Sequence, residues 1–430
     1  MLVAASACSK RGSSSPPVAI THTTVIDVRS GEARSDFTVL VAGDRITYVG
    51  PASSAPLLKG AKVVDGSGKF LIPGLWDMHI HGFLYVFSDF AGPLMIANGV
   101  TGARDMGYYI DTTSRWKRDI AAGKEVGPRL VVGVRVDGPV NEARFIAHVK
   151  TDDDGVRAVD TLMRRKDGSQ RADFITIESR IPRAAYFGIT REANKIGAAL
   201  AGVVPESVSV IAASDSGQRS LEHEDDLMRP CAPPSRFSCR TVIETLARNH
   251  TWVTPTLIKY QPVARGFDSA STHPEWGKYV PGLVKGGWIK RASSLAKGDT
   301  MRVRNYFSFE RTREIKDAGV RLLAGTDTPQ PFVYPGFSLH DELALLVKSG
   351  LSPLEALQTA TINPAEFFGM QGALGAIEKG MIADLVLLDA NPLTDIANTR
   401  RINAVVANGR LFDRSALNGL LAHVEAALKR

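Results

Sequence analysis

From Leu71 to Thr326 the chain repeats one pattern, a short apolar run followed by a longer amphipathic stretch. The runs are Leu71–His79, Val100–Asp105, Arg129–Val136, Phe174–Glu178, Ala198–Val204, Ser220–His223, Trp252–Leu257 and Arg321–Thr326. Helical stretches such as Leu339–Lys348 and Pro353–Ala360 lie between or after them. Parallel strands cannot be joined by tight turns and need crossovers of a dozen or more residues. Eight such runs therefore predict an α/β fold, and the arrangement that uses all of them is a (β/α)8 TIM barrel. In that barrel the chemistry sits at the carboxyl ends of the strands, which makes the residues closing each run the candidate site.

The flanks read differently. Ile20–Val28, Phe37–Ala42, Ile46–Val49 and Lys62–Asp65 are short strands separated by turns, among them Gly43-Asp44. Near the other end Leu385–Leu388 is followed by Ile402–Ala407, and Asn408-Gly409 then makes a strong hairpin signal before Arg410-Leu411-Phe412. Two β segments around one long middle predict a small composite β-sandwich built from both chain ends, 18–70 with 371–415. The barrel then occupies 71–370, a tether 1–17 and a C-terminal helix 416–430.

Composition narrows the class without naming a function. The 430 residues are 44% hydrophobic and 23% charged, as in ordinary globular proteins, which excludes collagen-like, disordered and disulfide-dense chains. The net charge of +7 is spread along the chain, whereas a nucleic-acid footprint would be clustered. No apolar run approaches the ~18 residues that a membrane-spanning helix needs.

The sharpest local signal is Pro73-Gly74-Leu75-Trp76-Asp77-Met78-His79-Ile80-His81. Histidines at i and i+2 of a strand share a face, so a strand end entering the barrel mouth presents both imidazoles to one cation. Leu221-Glu222-His223 closes the sixth run, and Ala324-Gly325-Thr326-Asp327-Thr328 places a carboxylate at the end of the eighth. His79, His81, His223 and Asp327 form the kind of set a catalytic divalent metal uses, three as ligands with a position left for water.

These motifs, with Gly99-Val100-Thr101-Gly102-Ala103-Arg104-Asp105-Met106-Gly107 and Gly380-Met381-Ile382-Ala383-Asp384-Leu385-Val386, resemble the amidohydrolase superfamily on its imidazolonepropionase-like and Xaa-Pro-dipeptidase-like branch. The resemblance runs from about residue 20 to 412. It implies a metal-dependent barrel hydrolase acting on amide bonds of small molecules. Two positions depart from it. Related sequences carry a carboxylated lysine on the fourth strand, where this chain has Thr176, and a histidine on the fifth, where it has Val203. Those positions, with His223, would hold a second metal; His79, His81 and Asp327 would hold the first. The expectation is therefore one divalent ion, zinc, whose water attacks the carbonyl, with Asp327 taking a proton and His223 polarising the carbonyl or its oxyanion. Glu178, two residues beyond Thr176, is either a substitute carboxylate or a salt-bridged residue past the strand end, and the second reading is preferred. Two alternatives stay open: a degenerate binding protein of the same fold, and a metal-free lactonase or esterase using His223 and Asp327 as an acid/base pair.

The expected partners are small amides, N-acyl amino acids or dipeptides, with Tyr260 after the seventh strand meeting a substrate carboxylate. Arg104 and Asp105 are expected to form an internal ion pair. The chain does not fix its oligomeric state, and a homo-oligomer is compatible with it. Ala5-Ser6-Ala7 before Cys8 resembles the end of a bacterial lipoprotein signal, which implies lipidation of Cys8, membrane anchoring and an envelope location. The basic start of such a signal is missing and Ala5 stands where leucine is usual, so an ordinary tail on a cytoplasmic protein is the other reading. In an oxidising envelope compartment, Cys231 and Cys239 around Ala232-Pro233-Pro234 would form a loop-closing disulfide.

Overall fold

The computed structural model describes residues 15–82, 87–139, 146–163, 171–223, 236–294 and 309–429. The amino-terminal strands β1 (Val18–Ile26), β2 (Ala33–Ala42), β3 (Arg45–Pro51), β4 (Lys62–Asp65) and β5 (Phe70–Pro73) come first. The barrel strands follow as β6 (Leu75–Ile80), β7 (Val100–Asp105), β8 (Arg129–Asp137), β10 (Phe174–Ile177), β11 (Ala199–Gly202), β12 (Ser220–Glu222) and β13 (Trp252–Thr254), with a short β9 (Ile146–His148) beside β8. The chain returns through β14 (Leu385–Leu388), β15 (Ile402–Ala407) and β16 (Arg410–Phe412), and the helix Arg414–Leu428 closes it.

Both chain ends build one sheet, in the order β16-β15-β14-β5-β1-β2-β3 with β4 on β1. Their inward side chains share a core in which Val18, Ile20 and Val39 from one end meet Leu385, Leu387 and Val406 from the other. The turn at Asn408-Gly409 has both residues at positive φ, 50° and 72°, as a tight hairpin requires.

The second sheet runs β6 to β13 with every pairing parallel. The segment from Arg321 to Thr328 closes it. Val253 N donates to Arg321 O and Leu323 N to Val253 O on one side; on the other, Met78 N donates to Ala324 O, Asp327 N to His79 O and His81 N to Thr328 O. Glycine makes this closure feasible, because a Cβ on Gly325 would lie 2.5 Å from Thr254 Cγ2 and 2.8 Å from His79 Cβ. The fold is thus an α/β barrel with a separate sheet module.

The eighth expected strand, Arg321–Thr326, is not a continuous strand but pairs with its neighbours through isolated bridges at Leu322 and Thr328, and two others differ in extent. The run Leu71–His79 is divided at Gly74, where β5 stays with the terminal sheet and β6 enters the barrel. A Cβ on Gly74 would fall 1.9 Å from Thr101 Oγ1, so only glycine passes there. The run Trp252–Leu257 ends as a strand at Thr254; Thr256 turns to φ 49° and the helix Leu257–Ala264 begins. Apolarity marked this stretch as buried, but periodicity in so short a run does not separate strand from helix. No helix among the described residues is long and apolar enough to cross a membrane.

Candidate active site

All the barrel strands run the same way, so their carboxyl ends open into one cavity of about 300 Å³. His79, His81, Thr176, Val203, His223 and Asp327 line it, as the sequence led one to expect, together with Arg135, Glu178, Lys259 and Gln330. Strand alternation brings His79 and His81 to the same side, while Met78 and Ile80 are wholly buried in apolar cores. His79 Nε2 lies 3.5 Å and His81 Nε2 3.4 Å from Asp327 Oδ1. On the other side of that carboxylate, Oδ2 is 2.8 Å from Lys259 Nζ and 3.7 Å from His223 Nε2.

The residues behind these groups fix their orientation. Asp77 accepts from His79 N and Thr326 N through Oδ1 and from Thr326 Oγ1 through Oδ2, locking the first strand to the last beside Asp327. Complete burial pushes Asp77 up to about 7 against those hydrogen bonds. His79 Nδ1 is 2.9 Å from Glu222 Oε2. Glu222 is held from the far side by Arg104, whose Nη2 reaches its Oε1 at 2.7 Å, and by Ser220 Oγ at 2.6 Å. Burial would raise Glu222, yet Arg104 and His79 outweigh it and hold the carboxyl at about 2. An ionised Glu222 requires a proton on His79 Nδ1, the arrangement in which Nε2 is the ring nitrogen turned to the cavity.

Arg104 itself crosses the barrel interior with no exposed surface, donating to Met78 O, Ser220 Oγ, Glu222 and Thr254 Oγ1. The expected Arg104–Asp105 pair is thereby corrected. Consecutive strand residues face opposite ways, so Arg104 finds its acid on β12 while Asp105 Oδ1 accepts from Gly107 N.

Asp327 is 2% exposed. Burial opposes its charge, but Lys259, His223, His79 and His81 hold it well below the usual carboxylate range. His81 is lowered to about 3 by burial, against the pull of Asp327, and His223 is lowered well below its ordinary value by burial and by Lys259. Both rings are therefore neutral at physiological pH.

These groups fit a divalent ion. One ligand atom each from His79, His81 and Asp327 lies within 4.8 Å of the others. His79 Nε2 and Asp327 Oδ1 are buried with no hydrogen-bond partner, which is costly for polar atoms unless something else satisfies them. The opposite wall differs. Thr176 Oγ1 is buried without a partner, Val203 offers no donor atom, and Glu178 is tied to Arg135 Nε at 2.7 Å. Glu178 is thus the salt-bridged residue past the strand end.

Tyr260 is absent from the cavity wall. It is 8% exposed on the helix Leu257–Ala264, and its ring packs 5.5 Å from the ammonium of Lys259. Successive helical residues point about 100° apart, so where the chain turns helical at Leu257 it presents Lys259 to the cavity and turns Tyr260 away. Lys259, Glu222, Asp77, Arg135 and Gln330 are members of the site that the sequence reading did not assign. For Glu222 a signal existed in its i, i+2 spacing from Ser220, on the face that meets Arg104. His340, by contrast, is a core residue, hydrogen-bonded to Thr399 Oγ1 and Asn98 O. Cys239 is buried and disulfide-bonded; Cys231 and Cys8 lie outside the described residues.

A barrel with an appended composite sheet, and with two histidines and an aspartate converging at its strand ends, defines the class of barrels able to hold a catalytic divalent ion. The chain belongs to the amidohydrolase family, whose model matches residues 70–412. The imidazolonepropionase of Rubrobacter xylanophilus is 25% identical over 412 residues, 90% of this chain and 93% of the relative. An adenine deaminase of Mesorhizobium japonicum is 43% identical over 56 residues, 13% of this chain and 9% of the relative. The chain spans 9 to 58% of the length of four curated adenine deaminases that it matches. Among solved structures, bottromycin amidohydrolase superposes with a TM-score of 0.77 at 23% identity, covering 96% of this chain and 90% of that one, which shows the fold.

Proposed function

We propose that the protein hydrolyses amide bonds of small molecules with a single divalent ion, zinc, held by His79, His81 and Asp327. The observation that carries the reading is the convergence of two partnerless buried atoms, His79 Nε2 and Asp327 Oδ1, with His81 Nε2. Family homologues are hydrolases acting on C–N bonds, and the family typically binds a divalent metal. Two imidazoles and a carboxylate are a donor set that zinc takes in hydrolases. Such an ion, when bound, lowers the pKa of water from 15.7 toward about 7 and so supplies a nucleophile at neutral pH.

The chain's own residues do the rest. Asp327 is ionised and can take a proton from the attacking water and return it to the leaving nitrogen. Glu222 keeps His79 in the tautomer that presents Nε2. Asp77 and Thr326 hold the aspartate in register with the histidines. The cavity, at the small end of ligand sites, suits a substrate of dipeptide or N-acyl amino acid size. The disulfide on Cys239 supports an oxidising compartment such as the bacterial envelope.

The test is elemental analysis of protein purified without chelator, combined with turnover of a panel of N-acyl amino acids and dipeptides. The reading expects bound zinc and amide cleavage, both abolished by His79→Ala. Cleavage that persists in metal-stripped protein would replace it with the metal-free acid/base reading.

A further inference from the structure

When water adds to an amide carbonyl, the carbonyl oxygen gains negative charge, and the site needs a donor aimed at that oxygen. His223, expected from sequence to supply it, already has its Nδ1 engaged by Thr256. Its Nδ1 is 2.8 Å from Thr256 Oγ1, and that hydroxyl spends its only proton on Pro255 O, also at 2.8 Å. With the hydroxyl donating to Pro255 O it accepts from His223, and in that tautomer the ring carries its proton on Nδ1 and turns a lone pair, not a donor, to the cavity at Nε2. Arg135 is drawn toward Glu178. Lys259 is placed differently. It is 25% exposed, lines the cavity, and reaches Asp327 Oδ2 at 2.8 Å, which uses one of its three N–H groups. The opposite oxygen of the same carboxylate faces His79 and His81. One carboxylate thus faces the two histidines through one oxygen and an ammonium through the other, in a cavity that Thr176 and Val203 also line.

We propose that Lys259 is the catalytic electrophile of this site: its ammonium donates to the scissile carbonyl oxygen and serves as the second positive charge in place of a second ion. The proposal rests on the hydrolase reading. As the water oxygen bonds to the carbonyl carbon, the π pair moves onto the oxygen beside Lys259 and the water proton passes to Asp327. As the C–N bond breaks, that pair re-forms the carbonyl, and the proton moves from Asp327 to the departing nitrogen. Lys259 stays protonated throughout. Its placement is built in, since Glu342 Oε2 accepts from Ile258 N at 2.8 Å and anchors the start of the helix that carries it.

The test compares zinc-loaded full-length protein with Lys259→Met and Lys259→Arg. Calorimetry measures affinity for an N-methylphosphonyl amino acid, a tetrahedral anion, and for the N-acetyl form of the same amino acid. Lys259→Met is expected to weaken the phosphonyl compound about 100-fold, the scale of a lost oxyanion donor. The acetyl compound, whose neutral carbonyl oxygen accepts a weaker hydrogen bond from the ammonium, should weaken far less, the zinc content should be unchanged, and Lys259→Arg should restore part of the loss. Lys259→Gln repeats the measurement if the methionine variant fails to fold. Equal weakening of both compounds, no weakening of either, or a wild-type protein that does not prefer the phosphonyl compound would overturn the assignment. If the phosphonyl preference depends on Lys259 while wild-type protein cleaves no amide, the hydrolase reading fails and the cation assignment stands.

Discussion

At the first-strand side of the barrel mouth, two of the three candidate ligands, His79 and Asp327, have groups behind them, whereas His81 Nδ1 is buried without a hydrogen-bond partner. His79 is backed by Glu222, Glu222 by Arg104 and Ser220, and Asp327 by Asp77 through Thr326. At the fourth- and fifth-strand side, Thr176 has a partnerless hydroxyl, Val203 has no donor atom, and the one carboxylate nearby is paired with Arg135. Ligands oriented by an outer layer of hydrogen bonds hold a metal more tightly than a wall without them. The contrast is what the proposed single-ion reading rests on, with Lys259 supplying charge on the other side of Asp327.

The contrast breaks most severely at a ligand. His79→Ala or Asp327→Asn should remove bound zinc and all measurable amide turnover, because too few donors remain; elemental analysis and a turnover assay on the same preparation check this. One layer out, Glu222→Gln leaves His79 in place but frees its tautomer and deprives the buried Arg104 of its acid. Zinc affinity should fall roughly 10- to 100-fold by chelator competition, and denaturant melts should show a loss of about 3 kcal/mol or more from the unpaired guanidinium.

The poorer wall can be tested by rebuilding it. Thr176→Lys with Val203→His restores a lysine able to carry a carboxylate and a second imidazole, yet Lys259 still occupies Asp327 Oδ2. The double variant should bind the same zinc as wild type, and only the addition of Lys259→Met should raise the stoichiometry, as elemental analysis would show.

The smallest effect is on stability. Burial raises Glu342 to about 8, against hydrogen bonds from Ile258 and Leu257. The folded state therefore holds a proton that the unfolded chain loses above its ordinary value of 4.5, so this group costs stability progressively as pH rises from about 4.5 to 8. Glu342→Gln keeps an acceptor without a charge. It should melt about 2 °C or more above wild type at pH 8 to 9, with the difference closing toward pH 4.5 in a series of thermal scans.

Much of the site was legible in the sequence because strand periodicity converts spacing into direction: His79 and His81 could share a face only if the run before them was a strand. The composite sheet was legible for a similar reason, since turn chemistry at Asn408-Gly409 is local. What was not legible depended on where periodicity changes. Lys259 and Tyr260 are adjacent, and which of them enters the cavity is decided by the turn at Thr256, where strand gives way to helix. The partner of Arg104 was hidden because it lies on another strand, and nothing in Arg104-Asp105 records which strands will enclose a side chain that crosses the barrel.

The central claim is that one ion, and not two, belongs to this mouth. Elemental analysis of full-length protein purified without chelator and supplemented with zinc tests it most directly, with the His79→Ala variant alongside. The account predicts one zinc per chain in the wild type and none in the variant. Two ions per wild-type chain, or none after supplementation, would contradict it.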